Sequence, residues 1–160
     1  MIIISDTSPL VCLLHLNKIN LLTDLFVNVI IPTAVFNELI NAKVIDEVFL
    51  QFNPFIKIQS PINKEEVEKL RYFLDAGESE AIILSKELNA DLLLIDEDRG
   101  RKFAIKYGLA IKGVLGVLLQ AKEKGLIFEI GPLIVKLQTE INFRINDNLL
   151  KKILIQANEL

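Results

Sequence analysis

The sequence predicts an α/β fold with a mainly parallel sheet that carries helices on both of its faces. Short runs rich in Ile, Val and Leu at residues 2–5, 29–31 and 91–95 are continuous rather than alternating. Such runs are typical of strands that are buried on both faces. Helical patterns separate them along most of the chain, and sequential strands joined by helices imply right-handed crossovers and parallel pairing.

The first part of the chain is predicted to form two strands, each followed by a helix. Ser8 and Pro9 fit an N-cap and the first helical position, and the apolar residues after them continue that helix. The second strand stops at Pro32, and the helix after it has an apolar stripe that leaves Glu38 outside. Less regular patterns predict helices at residues 20–26 and 44–52 and an alternating strand at residues 55–58.

The remainder of the chain continues the alternation and ends in helices. Gly108 and Gly125 close two of these helices. A terminal helix is predicted to be capped near Asn146 or Asp147. We expect a domain at residues 1–125 and a C-terminal helical extension at residues 126–160 that packs on the same domain. The other predicted elements are helices at residues 64–74, 78–88, 99–107, 114–124 and 132–140, a strand at residues 109–112 and an extended piece at residues 143–145.

Length and charge narrow the class of protein. A chain of 160 residues favours one domain. The net charge of −3 provides no general attraction to nucleic acid, although bound metal ions and a local basic patch can provide one. The first residues lack a basic region, and their apolar run is too short for a signal peptide or a membrane span. No membrane association is therefore expected.

The single cysteine and the single histidine are not predicted to do chemistry. Cys12 allows neither an intramolecular disulfide nor a thiolate metal cage, and it favours a reducing, cytoplasmic location. Its apolar neighbours predict a small buried hydrophobe. His15 has no second histidine to join it, so we interpret it as a surface or helix-end residue.

Four acids from four different elements are predicted to meet at one edge of the sheet. Asp6 and Asp96 follow buried strands, whereas Glu38 and Glu80 lie on helices. Open α/β folds bind ligands at the carboxyl ends of their strands. Carboxylates that converge without matching cations repel one another, so the pattern predicts bound Mg²⁺ or Mn²⁺ and hydrolytic chemistry.

Two of these four positions have a neighbouring alternative. Residues two apart on a helix do not face each other, so Glu80 is the first choice, and Glu78 is the second if it lies in the loop or first turn. Asp96 ends the buried strand directly and is preferred to Asp98, which can cap the next helix. We interpret Asp75 as a turn or solvated residue.

Three short runs contain the acids that follow strands or open helices. They are Asp6-Thr7-Ser8-Pro9-Leu10, Gly77-Glu78-Ser79-Glu80-Ala81, and Ile95-Asp96-Glu97 followed by Arg101. Together with Glu38 on the helix after the second strand, their order over residues 1–125 resembles the PIN domain, a family of metal-dependent nucleases. The runs look like a prokaryotic subfamily related to VapC-type toxins, and the second run is also similar to a metal-binding run of flap endonucleases.

The resemblance implies a three-layer α/β/α sandwich, bound Mg²⁺ or Mn²⁺, cleavage of RNA, a homodimer and often an antitoxin partner. It implies that Thr7 or Ser8 supports the first acid by hydrogen bonding. Many PIN domains have Thr or Ser-x-Asp where this chain has Asp96-Glu97-Asp98, and the commoner residue at position 80 is Asp. The first departure leaves the register of the fourth ligand open, and the additional methylene of Glu80 can shift the position of the metal. Carried over by position, the metal ligands are Asp6, Glu38, Glu80 and Asp96.

Basic residues follow the last acid on the predicted helix at residues 99–107. Arg99, Lys102 and Lys106 fall at i, i+3 and i+7, and Arg101 lies nearby. These side chains can receive phosphates of a single strand, or they can form a solvated basic face. The sequence does not favour either interpretation.

The leading interpretation is a metal-dependent ribonuclease that cleaves single-stranded RNA and serves as the toxin of a toxin–antitoxin pair. A phosphatase of the haloacid dehalogenase kind requires a second Asp where Ser8 stands, and a receiver domain requires an acid partner that Asp6 lacks. The remaining alternative is a PIN-like module, weakly active or inactive, that acts through dimerisation or partner contact. For a dimer, the sequence predicts a shared helical surface that includes Leu21, Leu22, Leu25 and Phe26.

Overall fold

The computed structural model describes residues 1–160 and contains one sheet of five parallel strands in the order β3-β2-β1-β4-β5. The central strand is β1, which pairs with β2 on one side and with β4 on the other. The strands are β1 (Ile3–Ser5), β2 (Val29–Ile31), β3 (Ile56–Ile58), β4 (Leu92–Leu94) and β5 (Ile111–Lys112).

Ten helices connect and cover the strands, and they form a layer on each face of the sheet. The predicted α/β fold with helices on both faces is confirmed, as is the three-layer arrangement. The helices are α1 (Thr7–His15), α2 (Asn20–Phe26), α3 (Thr33–Asn41), α4 (Phe49–Phe52), α5 (Lys64–Leu70), α6 (Ala76–Glu87), α7 (Asp98–Lys106), α8 (Val114–Glu123), α9 (Gly131–Glu140) and α10 (Asp147–Gln156).

Two apolar clusters form the core, one on each side of the sheet. Consecutive residues of β1, Ile3 and Ile4, enter opposite clusters, because side chains alternate between the faces of a strand. The larger cluster is built with α1, α2, α3, α8, α9 and α10, and the smaller one with α5, α6 and α7. This double burial explains why the strand sequences are apolar throughout rather than alternating.

The C-terminal helices share the larger cluster with the rest of the chain. Ile134 and Leu137 from α9 and Ile153 from α10 are buried in it beside residues of α1 and α8. The division of the chain at residue 125 remains a prediction. No helix combines the length and the hydrophobicity that a membrane-spanning segment requires.

Several predicted boundaries move in the structure. The first helix starts at Thr7, with Asp6 rather than Ser8 in the N-cap position, because the Asp6 N–H still bonds to Leu94 of β4 at 2.9 Å. Pro9 therefore lies within the first turn, where its missing N–H costs nothing. Helix α5 ends earlier than predicted, α6 starts two residues earlier, and residues 143–145 pair with no strand.

The surface predicted for a dimer is wrong, because its residues are part of the core. Leu21, Leu22 and Phe26 are buried in the larger cluster, and Leu25 is half-buried against it. Helix α2 packs against β2 and α8, so its apolar face is already covered within the monomer. A shared interface would have to use another part of the surface.

Candidate metal centre

The carboxyl edge of the sheet gathers acids from strands β1 and β4. Asp6 directly follows β1, and Asp96 comes two residues after β4. These strands are neighbours at the centre of the sheet, and the chain order runs outward from them in both directions. This is the position at which open α/β sheets form a ligand crevice.

Three carboxylates meet at this edge. Asp6, Glu38 and Asp75 each offer one oxygen, and these oxygens lie within 4.8 Å of one another. Asp6 is 2% exposed, so its charge has little access to water. Asp75 is exposed and directly precedes helix α6, in agreement with its interpretation as a turn or solvated residue, but it also belongs to this acid group.

Asp75 and Glu78 begin helix α6 together as a capping box. The Glu78 N–H donates to Asp75 Oδ1 at 2.8 Å, and the Asp75 N–H donates to Glu78 Oε1 at 3.3 Å. A capping box satisfies two helix N–H groups reciprocally. The pattern Asp-x-x-Glu before an apolar run is a signal for it in the sequence, and it would have placed Asp75 at this helix start.

Glu38 is held in place by two donors. The Thr7 hydroxyl donates to Oε2 at 2.5 Å, and the Gly77 N–H donates to Oε1 at 2.9 Å. The backbone of Thr7 hydrogen-bonds to Asp6, as expected for support of the first acid, while its hydroxyl supports the second acid. Ser8 makes a long contact of 3.4 Å to Glu97 instead.

Asp96 is positioned by the start of helix α8. The Val114 N–H donates to Asp96 Oδ1 at 3.0 Å. Arg101 lies close by, but its guanidinium donates to the carbonyl of Ile95 at 2.9 Å. The predicted role of Arg101 in binding substrate is thus not supported, since its side chain ties α7 to the strand end.

Several carboxylate oxygens at this site have no hydrogen-bond partner, unlike acids whose only role is to stabilise the fold. Four buried side-chain oxygens lack a hydrogen-bond partner, and three of them are Asp6 Oδ1, Glu78 Oε2 and Asp96 Oδ2. Burial without a partner costs free energy, and it costs more for a charged group. Such oxygens are hard ligands that suit Mg²⁺ and Mn²⁺, so the residues present fit a divalent cation.

The pKa values of these acids are raised, as expected for buried carboxylates whose negative charge is not fully balanced by nearby cations. Burial, together with the charges of Glu78, Asp75 and Glu38, raises the pKa of Asp6 well above its usual value. Burial raises the pKa of Asp96 to about 6. Burial and the nearby Asp75 carboxylate also raise the pKa of Glu78. A bound cation would favour the ionised form of all three acids.

A family model described as DUF3368, PIN domain, matches residues 2–159 of the chain. The chain belongs to the PIN-domain family. Among solved structures, it is similar to a PilT N-terminus domain protein from the hyperthermophilic archaeon Sulfolobus solfataricus. The TM-score is 0.51 at 17% identity, and the match covers 77% of this chain and 95% of the other. At this identity the likeness shows the fold. No curated protein matches the sequence significantly.

In this PIN domain, Glu78 and Glu80 point to different surroundings. Glu78 is buried with an unpaired oxygen beside the Asp6 group, whereas Glu80 Oε1 accepts a bond at 3.0 Å from the Ala34 N–H at the start of α3. The choice between Glu80 and Glu78 as a metal ligand remains a prediction, but Glu78 is the one of the two with an unpaired oxygen. Helix α6 begins at Ala76, and Glu78 lies in its first turn, the position in which the sequence allowed it as a ligand.

The other predicted residues lie outside the group of buried acids. Asp98 is exposed in the first turn of α7 and does not cap that helix, whose N-cap position is Glu97. Arg99 and Lys102 are exposed on the same helix, and Lys106 lies over the ring of Phe103 at 5.3 Å. These cations form an accessible basic face.

Neither Cys12 nor His15 contributes a reactive group. Cys12 is buried, and burial raises the pKa of its thiol to about 12, with the charges of Asp96 and Glu97 adding to the shift. His15 ends α1 and contacts Glu140 at 2.8 Å. The interpretations of Cys12 as a buried hydrophobe and of His15 as a helix-end residue agree with the structure.

Three glycines lie directly against the acid side chains and provide the space for them. The sequence did not predict this role of the glycines. A Cβ atom added at each would lie 2.5 Å from the nearest carboxylate oxygen. The absence of a side chain therefore permits the close approach of helix or loop backbone to the acids. The pairs are Gly77 with Glu38, Gly100 with Glu78, and Gly113 with Asp96.

Gly113→Ala is expected to weaken Mn²⁺ binding by roughly 10- to 100-fold, the range found when groups that orient a metal ligand are altered. The new methyl group would force the Asp96 carboxylate away from the Val114 N–H. The backbone at Gly113 is extended, with φ −93° and ψ 178°, so alanine itself is not strained there. Calorimetric titration with Mn²⁺ measures the loss.

The matched control for this prediction is Gly116→Ala on helix α8. Its added Cβ would lie 2.6 Å from Lys112 Cγ and would contact no acid. We expect this variant to keep wild-type affinity for Mn²⁺ even if its unfolding temperature falls. Equal losses of affinity in both variants would contradict the displacement of Asp96 as the cause.

Proposed function

We propose that this PIN domain is a Mg²⁺- or Mn²⁺-dependent endoribonuclease that cleaves single-stranded RNA. The observation that carries the proposal is the set of unpaired, buried oxygens on Asp6, Glu78 and Asp96 at the carboxyl edge of the sheet. Membership of a family of generally nucleolytic domains supports it. Asp6 and Glu78 are too buried to be explained as solvated surface charges, and an oxygen of Asp6 lies within 4.8 Å of carboxylate oxygens of Glu38 and Asp75.

The residues that would hold the metal are Asp6, Glu78 and Asp96, with Glu38 and Asp75 beside them. When bound, a divalent cation offsets negative charge on a phosphodiester and lowers the pKa of water so that it can act as the nucleophile. Hydrogen bonds within the chain position two of these ligands before the metal binds. The capping box holds Glu78, and the backbone N–H of Val114 holds Asp96.

The chain supplies no evident nucleophile of its own at this site. The Cys12 thiol stays protonated at neutral pH, since its pKa is raised to about 12. Ser8 has no histidine or lysine partner and makes only the long contact to Glu97. Hydrolysis by water is therefore the reaction that suits these residues.

The finer biological role is part of the proposal. We infer that the protein acts in the cytoplasm as the toxin of a toxin–antitoxin pair and forms a homodimer. The exposed cations of α7, Arg99, Lys102 and Lys106, support contact with RNA phosphates. The resemblance of the three acidic runs to VapC-type toxins supports the toxin role.

The test uses the purified protein and labelled single-stranded RNA, with single-stranded DNA of the same sequence as a comparison. We expect cleavage of the RNA in Mn²⁺ or Mg²⁺ and none in excess chelator. Mn²⁺ should also raise the unfolding temperature, because a ligand that binds only the native state stabilises it. Cleavage that persists in chelator would contradict a metal-dependent reaction.

Metal binding without cleavage would favour the alternative function. In that case the protein would be a PIN-like module that acts through dimerisation or contact with a partner. The two results are separable because the thermal shift reports metal binding independently of turnover. Preferential cleavage of DNA would contradict RNA as the substrate, but it would still agree with a metal-dependent nuclease.

A further inference from the structure

Residues 141–146 form the connecting segment between α9 and α10. Ile141, Phe143 and Ile145 are half-buried against the larger apolar cluster, whereas Asn142 and Arg144 are exposed. The backbone N–H groups of Ile141 and Phe143 donate to the carbonyl of Leu137 in α9 at 3.2 and 3.0 Å. The segment is thereby held in place, and its alternation presents Arg144 outward.

This segment forms a wall of two cavities beside the acids. The cavities have volumes of about 520 Å³ and about 360 Å³. Asp96 and Asp98 line both of them, and so do Phe143 and Arg144. Volumes of this size fall in the range of roughly 300–1,000 Å³ that is usual for ligand sites. The acidic edge of the sheet thus opens onto a groove whose opposite wall is the connecting segment.

Arg144 is the cation of this groove that makes no hydrogen bond within the chain. Arg101 and Lys112, on the walls of the second cavity, keep their charges but are held in place by hydrogen bonds to the Ile95 carbonyl and to Gln120. Arg144 has neither a hydrogen bond nor an ion pair within the chain. Its guanidinium is therefore available to an external group.

We propose that Arg144 binds a phosphate of single-stranded RNA beside Asp96, so that the connecting segment is part of the substrate site. The inference rests on the proposed ribonuclease function. A phosphate that enters a groove lined by carboxylates is repelled unless cations offset its charge. The planar fork of an arginine donates two parallel bonds to phosphate oxygens, which fixes the position of the strand as well as attracting it.

The test compares Arg144→Gln, Arg144→Lys and wild type in two assays. Binding of a labelled single-stranded RNA is measured by fluorescence anisotropy at several salt concentrations, with Ca²⁺ in place of Mg²⁺ to slow cleavage. Steady-state cleavage in Mg²⁺ gives kcat and KM. Lys136→Gln removes an exposed cation from α9 and is the matched control.

For Arg144→Gln we expect Kd and KM to rise about tenfold, as for loss of one charge-assisted contact, with kcat nearly unchanged. The slope of log Kd against log salt should become shallower by about 0.7, the value for one phosphate contact on a single strand. Arg144→Lys should recover part of the loss, because it restores charge without the fork. Lys136→Gln should match wild type.

Other results would overturn the proposal. Unchanged RNA binding by Arg144→Gln would remove Arg144 from the substrate site while leaving the ribonuclease function intact. Tighter Mn²⁺ binding by this variant, without weaker RNA binding, would show that Arg144 only offsets the charge of the acids. Absence of RNA binding by the wild type would overturn both this inference and the proposed function.

Discussion

Asp6→Asn is expected to abolish metal-dependent cleavage, with a loss beyond about 100-fold, and at the same time to raise the stability of the metal-free protein. Loss of a direct ligand should exceed the 10- to 100-fold cost of losing a group that merely orients one. Stability should rise because the substitution removes a buried, uncompensated carboxylate from the acid group. The two effects have opposite signs, which damage to the fold would not produce.

The gain in stability should depend on pH in a defined direction. The folded-state pKa of Asp6 is raised, so the folded wild type binds a proton more tightly than the unfolded chain. Its stability therefore falls as pH rises through the window between the unfolded and folded pKa values. The advantage of Asn should grow as pH rises above the ordinary Asp pKa of about 4 and should fade as pH falls toward that value.

Thermal unfolding in chelator measures this effect, together with cleavage assays in Mn²⁺. A gain of about 1 kcal/mol would raise the unfolding temperature by roughly 2–4 °C in a chain of this size. Asp24→Asn changes an exposed acid on α2 and should leave both properties at wild-type values. Equal cleavage by Asp6→Asn and wild type would point to a contaminating nuclease or to a site elsewhere.

Glu78→Gln is expected to reduce metal affinity and cleavage by more than about 100-fold, whereas Glu80→Gln should cost far less. Both changes remove one charge and keep the shape of the side chain. Only Glu78 carries an unpaired buried oxygen beside Asp6, since Glu80 is bonded to the N–H of Ala34. Titration with Mn²⁺ and cleavage rates measured side by side separate the two.

Each variant of this pair serves as the other's control. Glu78→Gln keeps an amide oxygen that can accept the bond from the Asp75 N–H, so α6 should still begin at the same residue. Circular dichroism should show unchanged helix content for both. A larger loss of metal affinity in Glu80→Gln than in Glu78→Gln would contradict the assignment and restore the register expected from the sequence.

The fold was predictable because its strands carry a strong and simple signal. Residues of β1 and β4 are buried on both faces, so their sequences are apolar without alternation, and the topology then places Asp6 and Asp96 at adjacent strand ends. That part of the candidate site follows from sheet geometry alone. It does not depend on the conformation of any side chain.

The rest of the site depends on where helices begin and how they are rotated, and sequence patterns locate helix ends poorly. Side chains two residues apart on a helix point roughly 200° apart, so the rotation of α6 about its axis decides whether Glu78 or Glu80 faces the acids, and the sequence does not give that rotation. Because helix ends are poorly located, the sequence predicted Ser8 as the N-cap of α1, whereas the structure has Asp6 in that position. The sequence also did not indicate that the hydroxyl of Thr7 would contact Glu38. The misplaced dimer surface on α2 has a different cause, because an apolar helix does not reveal which neighbour will cover it.

The position of β1 at the centre of the sheet has a consequence for synthesis of the protein. Strand β1 cannot complete its pairing until β4 has been synthesised, because Ile3 lies opposite Leu92. Asp96 follows only after that strand. A nascent chain therefore lacks the complete set of acids until Asp96 has been synthesised. We expect the activity of the protein to appear late and abruptly, when the slow long-range pairing of β1 with β4 closes the sheet.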